Sequence, residues 1–178
     1  MSTLFVNNLD TASGTDITVA SGKTIKAPGM IVQVQSSQTS AQLTLNSNQS
    51  TQTDVGLAVS ITPKYSNSKI YVIATGNSYA ASNSDNPLHR IVRTVSGTAT
   101  SIAATDYISY RGGGGGGTGT SYVQSVMDSA QSTAAHEYKI QIRSDTGSGT
   151  VYFNVRDAAG GTSEEAQLST IMVMEIAQ

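Results

Sequence analysis

His89 and His136 are the two histidines of this chain, and cysteine is absent. Any metal or acid–base chemistry would therefore start from the histidines. A metal site needs several ligands converging at hairpin or helical spacing, and neither histidine has such a cluster beside it in sequence. Each falls inside or next to a strand-like run, and each reads as an ordinary surface or interface side chain. The residue types of a Ser-His-Asp triad are present, but 25 serines allow a triad to be drawn anywhere, so their presence selects nothing. The chain has 4 glutamates and 8 aspartates. Glu164 and Glu165 are neighbours whose side chains point apart in an extended chain, so no carboxylate pair of the glycosidase kind stands out. Asp145-Thr146-Gly147-Ser148-Gly149 lacks the full ligand sequence of a helical calcium loop and reads as a hairpin turn.

The run Gly112 to Gly117, with Gly119 after it, is not a phosphate loop, because no Lys-Ser or Lys-Thr follows. Two readings stay open for it: a loop in solvent, or a packed loop where missing side chains let backbones or a partner approach. The 8 tyrosines stand against no tryptophan. Tyr71, Tyr138 and Tyr152 fall within strands and read as core or subunit interface. Tyr79, Tyr107, Tyr110 and Tyr122 sit nearer loop signals, alongside Arg111. Exposed tyrosine beside Asn and Ser suits contact with carbohydrate or protein. The candidate contact residues are therefore Asn83, Asn86, Tyr107, Tyr110, Arg111 and Tyr122. No catalytic residue, metal ligand or cofactor-binding residue is assigned, and the chain is expected not to be an enzyme.

The elements that would carry these residues show a period of two. Met30, Val32 and Val34 alternate with Ile31, Gln33 and Gln35. Val55, Leu57, Val59 and Ile61 alternate with smaller residues until Pro63. Ile70-Tyr71-Val72-Ile73 has the composition of a central strand. Further strand candidates lie around Leu88 to Val92, Tyr122 to Met127, Glu137 to Arg143, Thr150 to Arg156 and Leu168 to Ile176. Ser121 to Ala135 is the nearest approach to a helix, and its Ser and Thr content weakens it. Short strands parted by turn clusters, without helices between them, predict an all-β antiparallel sandwich or barrel. Residues 1–28 are poor in bulky apolar side chains and predict an N-terminal arm, with one domain over 29–178.

The 178 residues amount to 18.4 kDa, enough for one domain with a core. Ten basic residues against 12 acidic ones give a net charge of -2, which excludes an electrostatic footprint for nucleic acid or an anionic membrane. Charged residues are 12% of the chain, while 25 serines and 22 threonines supply hydroxyls; a usual charged share is roughly 25%. Such a surface suits a module or assembly subunit more than a housekeeping enzyme. No basic, apolar leader opens the sequence and no apolar run approaches the roughly 20 residues of a membrane helix. A soluble protein made in the cytoplasm without membrane insertion is expected.

Several segments resemble a pattern found in virion proteins of tailed bacteriophages, especially cyanophages and other marine phages. They are Gly56-Leu57-Ala58-Val59-Ser60-Ile61-Thr62-Pro63 with Ser66-Asn67-Ser68-Lys69-Ile70-Tyr71-Val72, then Arg90-Ile91-Val92-Arg93, then Met127-Asp128-Ser129. Tyr138-Lys139-Ile140-Gln141, Gly149-Thr150-Val151-Tyr152-Phe153-Asn154 and Ser169-Thr170-Ile171-Met172-Val173-Met174-Glu175-Ile176 complete the set, in order from about Gly29 to the end. Two departures stand out: Ser129-Ala130 replaces a common proline after Asp128, and the Gly112 run is unusual. The resemblance implies a jelly-roll sandwich assembled as a homotrimer, with the arm attaching it to the virion. It implies a tail-fibre protein contributing to host adsorption, whose partners are itself, other virion proteins and a host surface glycan or protein. The alternative is a capsid decoration protein whose arm clamps neighbouring capsid subunits. An envelope-polysaccharide depolymerase or esterase is a third and weaker reading.

Overall fold

The computed structural model describes residues 27–46, 51–81, 86–104, 118–145, 149–155 and 166–178. Ten strands fill them: β1 (Ile31–Thr39), β2 (Leu43–Leu45), β3 (Thr53–Ile61), β4 (Lys69–Ala80), β5 (Pro87–Val95), β6 (Thr98–Ala104), β7 (Thr118–Ser129), β8 (His136–Ser144), β9 (Val151–Phe153) and β10 (Ser169–Ile176). They form two antiparallel sheets. The first runs β1-β10-β4-β9-β2 with β7 on the other side of β4, and the second runs β3-β8-β5-β6. The described residues are therefore an all-β, two-sheet structure, as the period-two pattern predicts. The N-terminal arm, apart from residues 27 and 28, lies outside the described residues.

Register reduces the first sheet to four ribbons. β10 pairs with β4 over Thr75 to Lys69, and β9 pairs with the same edge of β4 over Ala80 to Ser78. β9 and β10 thus lie end to end as one interrupted strand. β1 lies against β10 and β2 against β9, so they too form one line. Between the halves, Val155 pairs with Ala166 as the chain leaves the sheet and returns to it.

Alternation places one side chain of each pair in the core. Val55, Leu57, Val59 and Ile61 are buried from one sheet, and Ile70, Val72, Ala74, Ile171 and Val173 from the other. Tyr138, Ile140 and Ile142 are fully buried between them, as their alternation predicts.

The strand candidate at Tyr122 to Met127 is part of β7, which is zipped to the whole length of β4. Three expectations need correcting. β2 and β6 were not expected. β6 follows a two-residue hairpin in which Ser96 and Gly97 both have positive φ, at 48° and 82°, the geometry of a type I′ turn. In β1 the alternation slips, because a register shift between Ile31 and Gln33 puts Ile31 and Val34 on the same outer face. The histidines are buried rather than superficial: His89 is 1% exposed and His136 is 0% exposed.

Candidate functional site

Three polar joints tie the sandwich, and each draws on separate segments of the chain. Arg93 from β5 reaches across to β7, where its Nη1 lies 2.9 Å from both carboxylate oxygens of Asp128. The Tyr138 hydroxyl donates to the same carboxylate at 2.8 Å. Burial and then the Asp128 charge push the Tyr138 hydroxyl's pKa well above its ordinary range. At the neighbouring corner, Glu175 is fully buried and accepts from Gln33 Nε2, the Lys64 and Tyr65 amides and Ser68 Oγ. Burial alone would raise that carboxyl; four donors outweigh it and hold the group below its ordinary value. The third joint is Asn154, with φ 57° and no exposure. Its Nδ2 donates to the carbonyls of Thr39 and Ala41, each at 3.0 Å, and its Oδ1 accepts from Ser169 Oγ. It bridges the break in both interrupted ribbons at once.

His89 belongs to the core beside this third joint. Its Nε2 lies 2.7 Å from Ser78 Oγ, and its ring stacks on Tyr122 with centroids 4.2 Å apart. Burial lowers its pKa to about 3, so the ring is neutral at ordinary pH. His136 contacts the carbonyls of Ala130 and Ala134 and pins the β7–β8 turn. Among the described residues, no group of three or more His, Cys, Asp and Glu could hold a metal.

Of the six sequence-chosen contact residues, Asn83, Tyr107, Tyr110 and Arg111 lie outside the described residues. Tyr122 is 1% exposed; it faces inward from β7, and burial raises its hydroxyl's pKa, with Ser169 offsetting part of that. That burial removes it from any contact surface. Asn86 is also buried and joins its loop to Asp145, donating from Nδ2 at 3.3 Å and accepting the Asp145 amide at 2.9 Å. Tyr79, also expected near a loop, lies in β4 at 7% exposure and packs on Tyr152.

What sequence reasoning missed is the outer face of the first sheet. One cross-strand row reads Val34, Met174, Tyr71, Met127 across all four ribbons. The next reads Ser36, Met172, Ile73, Ser125, and Val123, Ile31 and Ile176 extend the apolar surface at either end. Val123 is 69% exposed, Met127 52%, Ile31 51% and Val34 47%. The six strands of this sheet contain three charged residues. Asp128 and Glu175 turn inward, leaving Lys69 on the outer side, where its Nζ donates to Ser129 Oγ at 2.8 Å. The second sheet is the opposite. Its outer side carries Arg90, Glu137, Lys139 and Arg143, and Lys139 pairs with Asp54 at 2.6 Å. Lys139 and Gln141 hold the Asp54 carboxyl below its ordinary value despite the partial burial that opposes them. A shallow hollow of about 100 Å³ lies beside this pair, at the bulge around Gly56.

The signal for the apolar face lay in β10. Met172, Met174 and Ile176 alternate with Ile171 and Val173, so both of its faces are apolar, as in a strand covered on both sides.

No protein-family model matches the chain, and no curated protein matches it. Among solved structures, it is similar to a pentameric capsid protein isolated from metagenomic phage sequences, at 12% identity over 67% of each chain. The TM-score is 0.23, a likeness too slight to bear on fold or function.

Proposed function

We propose that this chain is a non-enzymatic structural subunit of a tailed-phage virion: a jelly-roll protein that assembles as a homotrimeric tail fibre and contributes to host adsorption. The observation that carries the reading is where the phage-like segments meet. Arg93, Asp128 and Tyr138 come from three of them and share one hydrogen-bonded cluster; Ser68 and Glu175 share another, and Asn154 and Ser169 a third. The polar residues of the pattern thus tie strands together, as a pattern describing a scaffold should.

Strand order supports the jelly roll. Counting β1 with β2 and β9 with β10, eight ribbons run 1-8-3-6 in one sheet and 2-7-4-5 in the other, the order of two nested Greek keys. Attachment to other virion proteins is assigned to the arm over residues 1–28. Adsorption would work by avidity, several copies on one particle turning weak contacts with a host glycan or protein into durable attachment.

Antibody against this chain, viewed by electron microscopy on intact particles, tests the reading. Label at the tail is the expected result. Label spread over the head would make the chain a decoration protein instead, and particles without label would overturn the virion assignment.

A further inference from the structure

We infer that the outer face of the first sheet is a self-association surface, taking a second copy of this chain. The inference rests on the reading of a self-assembling subunit and names the face that would do it. Three observations carry it. First, size: four ribbons at about 4.8 Å spacing and the Lys69–Thr75 stretch of β4, about 24 Å long, give roughly 450 Å² of apolar rows, a contiguous patch of the size that marks an interaction site on a monomer's surface. Second, charge: apart from Lys69 at one corner, the described outward rows carry no charge, so pairing two such faces strips water from almost no ion. The same molecule keeps Arg90, Glu137, Lys139 and Arg143 on the opposite side. Third, composition: the central row is Val34, Met174, Tyr71 and Met127. Methionine and tyrosine are enriched where surfaces adapt to a protein partner, and three of the chain's five methionines stand on this face. The edges of the sheet agree. β1 carries no charged residue and no proline over nine residues, and β7 has only the inward Asp128 over twelve; unguarded edges of that kind are usually covered.

Sedimentation of the full chain and of Val34→Lys/Met127→Lys, with Glu137→Lys as the control on the opposite sheet, tests this. The wild type and Glu137→Lys are expected to sediment as multimers, and the double variant as a folded monomer with unchanged far-ultraviolet circular dichroism. A double variant that stays multimeric overturns the assigned face while leaving the virion reading intact. A monomeric wild type at every concentration overturns self-association, and particle labelling then judges the virion reading on its own. If the double variant does not fold, thiol reactivity decides, since the chain has no cysteine of its own. Met127→Cys should react more slowly than Glu137→Cys in the assembled protein, and equal rates overturn the proposal.

Discussion

At the scale of single residues, the buried polar groups set how the protein meets acid. His89 is held neutral in the fold, with its pKa near 3 against an ordinary 6.5. Below pH 6.5 the unfolded chain takes a proton that the folded chain refuses. The stability tied to His89 is thus complete above that pH and falls by about 1.4 kcal/mol per pH unit toward 3. Glu175 acts in the same direction lower down, because its carboxyl is held below the ordinary 4.5 and its contribution fades as pH drops further. Urea midpoints measured from pH 7 to pH 4.5 should fall steadily for the wild type. His89→Gln, which can still meet Ser78, should show a much flatter profile. An unchanged slope in that variant would place the proton uptake on another group.

At the scale of elements, the joint at Asn154 depends on a missing side chain. A Cβ on Gly76 would collide with Ser169 Oγ and lie 2.9 Å from Tyr122 Cε1. Gly76→Ala should therefore cost about 1–3 kcal/mol, as overpacking does. Thermal melting would show it, and Ser169→Gly in the same chain should recover part of the loss. A Gly76→Ala protein that melts with the wild type would mean that this joint yields easily. The same stretch shows what the sequence made legible. Strands with one apolar side, such as β3 and β8, were readable because alternation and burial agree. β6 was not, because Thr98 to Ala104 has only Ile102 as a bulky side chain and so no visible alternation, and only the Ser96-Gly97 turn marks it. β9 and β10 each read as a strand, but no local residue announces that they form one line. That fact resides in pairing with β4. Tyr122 misled because nearby glycines suggested a loop, whereas its register opposite Gly76 turns it inward.

At the scale of the whole molecule, the two sheets meet through one core, and a charge placed there has no partner. Ile140 is fully buried on the central strand β8. Ile140→Asp should abolish folding, since an unpaired carboxylate in that position costs several kcal/mol against a total stability of about 5–15 kcal/mol. A soluble variant with a cooperative melt would refute the assignment of faces. The molecule is also two-sided, with ions on the outside of one sheet and methionine, valine and isoleucine on the outside of the other. This asymmetry was hard to read from sequence. The strands of the first sheet carry few charges on either side, so inner and outer rows look alike until register separates them.

The interruption between β9 and β10 has a practical consequence. The chain departs after Asn154, Val155 pairs with Ala166, and Ser169 resumes the line. Val155 and Ala166 hold the point of departure beside the point of return, so the sandwich itself sets the gap that any inserted chain must span. For a flexible insert joined between these two residues, each doubling of its length should cost only about 0.6 kcal/mol in closure entropy. A peptide cargo spliced there should leave the melting temperature within a few degrees of the parent. The protein would then serve as a display frame.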